Sequence, residues 1–276
     1  MSGPALRFAV SAVPAGDGRG WARQAVQLEA DGWDALLVPD TLATASPVPA
    51  LAAAAAVTER IRLRTWVLAA PLRSTAATVR EARALQELSD GRFEAGLGAG
   101  RPHAEHEAAA LGLRWPSAAE RIEQVQNAVT AVRAGVRPVP PVAIAAAGPR
   151  MTQAAAALVT SPDAGLDDRI VLALPPTADD AAVSAAAARV HEAAGRWVRL
   201  SLQAVSVGGQ VSPAFARWGG PDADTLATSG AAGVLPPDPD EALTVLRDRA
   251  ERLGIDEVVV PVDLAAAAAP LLRGAR

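Results

Sequence analysis

Two rhythms alternate along this chain. Short, nearly continuous apolar blocks are separated by longer stretches with apolar residues three and four apart, the spacings of buried strands and of amphipathic helices. The strand-like blocks are Leu6 to Val13, Asp34 to Val38, Ile61 to Ala70, Arg92 to Leu97, Pro141 to Ala147, Ile170 to Leu174, Val198 to Val207 and Glu257 to Val262. The helical stretches are Trp21 to Asp31 closed by Gly32, Pro49 to Thr58, Ser74 to Ser89, Ser117 to about Gly135, Gly148 through Leu158, Ala178 to Ala194, Pro239 to Leu253 closed by Gly254, and Leu264 to Leu272. Ser117-Ala118-Ala119-Glu120 has the form of a capping box, in which hydroxyl and carboxylate satisfy the free N–H groups of a helix start. Residues 161–168 read as a polar loop and 213–233 as a less regular segment.

Strands that alternate with helices imply a parallel sheet. Eight such units predict an α/β fold, a closed (β/α)8 TIM barrel forming one domain over residues 1–276. An open doubly wound sheet is the alternative, because the sixth and seventh apolar blocks are the least distinct.

Composition narrows the chemistry. Half of the 276 residues are hydrophobic, enough for a full core, and the net charge is −4 with both signs interspersed. A nucleic-acid surface would need clustered basic residues. There is no cysteine, which removes disulfides, thiolate catalysis and cysteine-based metal sites. The N-terminus lacks a basic segment followed by an apolar one, and runs such as Val48 to Val57 are too short to span a bilayer. The expectation is a cytoplasmic protein with neither nucleic acid nor membrane as partner.

In a parallel barrel the strands' C-terminal ends converge on one mouth, where ligands bind. Those ends carry Ser11, Asp40-Thr41, Val67 to Ala70, Gly98 to Arg101, Ala145 to Arg150 and Leu174-Pro175. Gly96, Gly98 and Gly100 leave the backbone open to close approach, by a ligand or by neighbouring strands. Gly148-Pro149-Arg150, at a helix start, fits an anion site fed by free N–H groups and the helix dipole. It fits equally a plain β-to-α turn with proline in the first helical turn. His103, Glu105, His106 and Glu107 could serve as metal ligands or acid–base groups. Their spacing is not that of a known zinc site, and a solvated helix start accounts for them as well. Asp40 could contact a ligand or cap the next segment. Trp66 could wall a flat ring or fill the core. His191 falls on an amphipathic helix and reads as a surface residue.

Several segments, kept in order over nearly the whole chain, resemble the bacterial luciferase-like family of flavin- and deazaflavin-dependent oxidoreductases. They are Ala30-Asp31-Gly32-Trp33-Asp34-Ala35-Leu36-Leu37-Val38-Pro39-Asp40, then Leu85-Gln86-Glu87-Leu88-Ser89-Asp90-Gly91-Arg92 leading into Gly96-Leu97-Gly98-Ala99-Gly100. Pro141 to Arg150 and Ala250 to Val260 follow at the expected distances.

The resemblance implies the same barrel and an enzyme that moves a hydride between coenzyme F420, a deazaflavin, and a small organic substrate. The alternatives are an FMN-dependent monooxygenase or reductase, and a non-catalytic flavin-binding or partner-subunit homologue. It places the cofactor phosphate on Ala146, Ala147, Gly148, Pro149 and Arg150, with Ala147 where two glycines are common. It implies a non-proline cis peptide at Trp66–Val67, with Val67 and Leu68 pressed on the ring. Ser11, Asp40, Trp66, Gly98, Gly100 and Arg101 complete the expected cofactor-binding set. Thr41 stands where the family often has histidine. Arg101 stands where an acid is common in some deazaflavin enzymes, with Glu105 and Glu107 the nearest acids. Thr41, His103 and Glu105 are the catalytic candidates, no metal is expected, and a homodimer is common among similar proteins. Few residues are available for the long site-covering insertions of many relatives.

Overall fold

The computed structural model describes residues 5–101, 104–217 and 220–275. The barrel opens with β1 (Arg7–Ser11), α1 (Gly18–Asp31), β2 (Ala35–Val38) and α2 (Pro47–Ala55). Then come β3 (Arg62–Thr65), β4 (Leu68–Ala69), α3 (Thr75–Leu88), β5 (Phe93–Gly98), α4 (Ala104–Ala110) and α5 (Ala118–Gly135). The second half holds β6 (Val142–Ala146), α6 (Gly148–Val159), β7 (Arg169–Leu172), α7 (Asp180–Ala194) and β8 (Arg199–Gln203). A hairpin of β9 (Ser206–Val207) and β10 (Gln210–Val211) follows, with short helices α8 (Ala214–Arg217) and α9 (Ala223–Thr228). The chain closes with α10 (Pro239–Leu253), β11 (Ile255–Pro261) and α11 (Ala265–Gly274).

Every pairing within the main sheet is parallel. The order runs β3-β2-β1-β11-β8-β7-β6-β5-β4, and Leu63↔Phe93 pairing between β3 and β5 closes the ring. This is the closed eight-stranded barrel, with β3 and β4 sharing one position, and not the open sheet. Its strands read as continuous apolar runs because both faces are covered. The main apolar core lies between strands and helices. A separate small cluster of Ala9, Ala35, Leu37 and Val259, with Trp66 against it, fills the middle of the barrel. Helix starts follow the expected chemistry: Asp17, Ser74, Asp179 and Asp238 accept first-turn N–H groups, and Ser117–Glu120 forms the full capping box.

Three expected elements change. The third strand is broken between Thr65 and Leu68, and the Trp66–Val67 peptide there is cis, as the resemblance implied. Thr65 repairs the ladder at the break: its hydroxyl donates to the Gly96 carbonyl at 2.9 Å and accepts from the Gly96 N–H at 3.0 Å. The seventh strand ends at Gln203, and Ser206–Val207 turns away into the hairpin over Gly208 and Gly209, both at positive φ. Residues 213–233, expected to be irregular, contain two short helices.

Candidate functional site at the barrel mouth

Side chains that point into a barrel recur every second residue along each strand. That alternation stacks the interior into levels. At the N-terminal level the strands supply charge: Arg7, Arg62, Arg64, Glu94, Arg169 and Glu257. Arg64 and Glu257 are completely buried. Arg64 Nη1 donates to Glu257 at 2.6 Å and its Nε to Glu94 at 2.7 Å. Arg7 and Arg62 add donors to Glu94, and the Ser201 hydroxyl donates to Glu257 at 2.6 Å. Burial by itself would push both carboxyls up. The surrounding guanidiniums, Arg64 first, outweigh it, holding Glu94 well below the usual range and Glu257 down to about 2. Burial likewise lowers the Arg169 guanidinium. This ionic plug closes the barrel's lower end.

The upper end is different. A cavity of about 230 Å³ opens at the C-terminal ends of β6, β7 and β8, floored by Trp66 and Val67 and flanked by Ala145, Val171 and Phe215. Among the described residues no charged side chain lines it, and Gln203 supplies an amide with no hydrogen-bond partner. The glycines of β5 are forced by packing. A Cβ on Gly96 would lie 1.8 Å from the Thr65 carbonyl oxygen, and one on Gly98 would lie 2.7 Å from Val67 Cγ2. So these glycines let Val67 settle against β5.

Beyond β6, Ala147 carries no side-chain cap for α6. Gly148, at φ +72°, has nothing within 4 Å of where a Cβ would stand. Ala147, Gly148, Pro149 and Arg150 are all exposed. First-turn N–H groups of a twelve-residue helix therefore face open space beside the mouth, an arrangement that suits an anion.

On the opposite rim, after β2 and β5, a buried carboxylate organises the loops. Glu107 Oε1 accepts from the Thr41 hydroxyl at 2.9 Å, the Leu42 N–H at 2.8 Å and Arg101 Nη2 at 2.6 Å. Asp40 accepts from the Ala69 N–H at 3.0 Å and from Arg73 at 2.8 Å, tying the end of β2 to β4.

A comparison with known sequences bears on what this mouth is for: the luciferase-like monooxygenase family matches residues 7–214. The chain belongs to that family. An F420-dependent glucose-6-phosphate dehydrogenase from Beutenbergia cavernae is 36% identical over 118 residues, which is 40% of this chain and 34% of that enzyme. The match thus spans about a third of that relative's length. Among solved structures, an F420-dependent secondary alcohol dehydrogenase in complex with an F420-acetone adduct aligns over 99% of both chains, at 16% identity and a TM-score of 0.72. The F420-dependent tetrahydromethanopterin reductase of Methanopyrus kandleri covers 98% of this chain and 97% of its own, at 17% identity and a TM-score of 0.69. The oxygenating constituent of 3,6-diketocamphane monooxygenase from Pseudomonas putida, in complex with FMN, covers 98% and 95%, at 14% identity and a TM-score of 0.67. At these identities the structural likeness speaks for the barrel alone.

Within this luciferase-like barrel the expected site residues fall into three groups. Trp66 and Val67 line the cavity, Leu68 is buried beside them, and Gly98 and Ala146 are buried at the strand ends. Ala147 to Arg150 form the open helix start, while Ser11 ends β1. Asp40, Thr41, Gly100 and Arg101 belong to the far rim. Glu105 is exposed on α4, and His103 lies outside the described residues. His191 differs from its surface expectation: it is partly buried, its Nε2 lies 2.9 Å from the Leu253 carbonyl, and its ring stacks on Trp197 at 4.3 Å. The sequence names Glu107 among the possible acid–base groups without choosing it over Glu105, and it does not single out Gln203. Glu107 differs from Glu105 only in facing inward on α4, and Gln203 is a lone amide two residues beyond Ser201 on an inward-facing row. Among the described residues no group of three or more histidines or acids is placed to hold a metal, and no helix is long and apolar enough to cross a membrane.

Proposed function

We propose that this protein is an oxidoreductase that transfers a hydride between coenzyme F420 and a small organic substrate at the barrel mouth. The observation that carries the reading is the pairing of an uncharged cavity with an uncapped helix start beside it. A flat tricycle needs an apolar slot with few polar contacts, and its phosphate needs N–H donors. Trp66, Val67 and Ala145 would wall the slot. Gln203 would meet a polar ring edge, and the N–H groups after Ala147, helped by Arg150, would hold the phosphate. The missing Cβ at Gly148 leaves the room such a group requires. When bound, the cofactor supplies two-electron chemistry; the chain supplies placement, dryness and fixed charge. The named F420-dependent relatives support this choice. An FMN-dependent monooxygenase is the second reading, because an FMN enzyme shares the barrel at full length. The protein acts as a cytoplasmic enzyme on a small molecule, with a homodimer as its expected assembly.

The test is to titrate the purified protein with F420 and with FMN, then mix the F420-loaded protein anaerobically with a panel of small alcohols and hydroxy acids. Saturable F420 binding and substrate-dependent loss of the oxidised absorbance support the proposal. Binding of FMN alone supports the second reading, and binding of neither removes both.

A further inference from the structure

Thr41 was a candidate proton donor, but its hydroxyl is already saturated. It donates to Glu107 at 2.9 Å and accepts from Arg101 Nη2 at 3.0 Å and from the Ala43 N–H at 3.2 Å. One hydroxyl has one proton and two lone pairs, so nothing remains for a substrate. Glu107 spends one oxygen on three donors, two of them Thr41 and Arg101. Both side chains thus converge on Nη2 of one guanidinium. Burying a carboxylate at a rim is costly unless it is paired and hydrogen-bonded, as Glu107 is by Arg101, Thr41 and the Leu42 N–H. Here the geometry fixes Arg101. That side chain is about half exposed, and its Nε and Nη1 have no partner among the described residues.

We propose that Arg101 is the substrate-recognition residue of the mouth, that Glu107 and Thr41 are its positioning residues, and that the substrate is a small organic acid whose carboxylate Arg101 receives. A guanidinium held at one nitrogen keeps its remaining donors in a fixed plane, the condition for directional charge-assisted bonds to a carboxylate. An unanchored rim arginine would instead lose that advantage to side-chain entropy. The proposal rests on the reading of the mouth as an oxidoreductase site, yet it concerns the rim after β2 and β5, not the cavity or the α6 start.

The experiment compares benzoate with benzamide, equal in shape and different in charge, by ligand-detected NMR and calorimetry on the full chain with and without F420. Benzoate is expected to bind about tenfold more tightly than benzamide. Arg101→Gln should bring the two to parity, and Arg101→Lys should retain part of the preference. Glu107→Gln keeps the arginine but frees it, so the preference should fall at least threefold; a merely structural Glu107 would lower thermal stability and leave the preference unchanged. Arg150→Ala should preserve the preference. Equal binding of the two probes by the unaltered protein, retention of the preference in Arg101→Gln, or its loss in Arg150→Ala overturns the assignment. F420 binding is followed separately by its own absorbance, so failure there strikes the cofactor reading and leaves the benzoate result to judge Arg101.

Discussion

Replacing Arg64 by methionine removes the centre of the ionic plug at similar length. Glu257 would keep only the Ser201 hydroxyl at 2.6 Å and two distant guanidinium contacts, Arg7 at 3.7 Å and Arg169 at 3.6 Å. Removing one partner of a buried pair typically costs about 3–5 kcal/mol, because the remaining charge is stranded. The carboxyl itself gives a consistent figure. Its pKa falls from 4.5 to about 2 on folding; at about 1.36 kcal/mol per unit this is roughly 3 kcal/mol of favourable linkage at neutral pH. A depressed acid contributes fully above its unfolded value and loses that contribution as pH falls toward its folded one. So the intact protein should lose stability between about pH 4.5 and pH 2. Arg64→Met should be about 3–5 kcal/mol less stable at pH 7, lowering Tm by roughly 6–20 °C. The gap should narrow as pH drops below about 4, where the stranded carboxyl takes up a proton. Denaturant melts at pH 7 and at about pH 3 measure this. A loss under about 1 kcal/mol at pH 7, or a gap that widens on acidification, would refute the reasoning.

Gly96→Ala should be destabilised by at least about 3 kcal/mol, read by urea denaturation, because the new methyl would overlap the Thr65 carbonyl in an all-buried strand. Ser117→Ala should cost about 1 kcal/mol by the same measurement, through loss of the α5 capping box, with no change in ligand binding. Arg150→Ala should weaken F420 binding about tenfold in a fluorescence titration and leave the melting temperature unchanged, since the side chain is exposed at the α6 start.

The barrel was legible because its two rhythms are local: continuous apolar blocks and helical spacing survive without knowledge of partners. Boundaries failed where a distant contact decides them. Val198 to Val207 is apolar enough for one strand, yet pairing with β11 stops at Gln203, whose partner is Val259. Breakage of the third strand was visible only through the family resemblance, since Ile61 to Ala70 has no proline or glycine to announce it. The ionic plug had a sequence signal that periodicity alone undervalues. Arg62 and Arg64, two apart in an apolar run, and single charges at Arg7, Glu94, Arg169 and Glu257 within other strands, mark a charged inner row. At the mouth, the glycines and the helix start were recognisable by residue type. Glu107 was named beside Glu105 but not chosen, because choosing it requires the facing of α4, a short helix whose docking is set by Thr41 and Arg101 across the rim.

The central claim is that the uncharged slot above Trp66 and Val67 receives the ring of F420. The direct measurement is an equilibrium fluorescence titration of F420 against the unaltered protein and against Ala145→Trp, which places an indole in that slot. The account predicts saturable one-to-one binding by the former and, in the variant, a loss of at least about a hundredfold with the circular dichroism melt preserved. Undiminished affinity in a folded Ala145→Trp protein, or no saturable binding by the unaltered one, would contradict it.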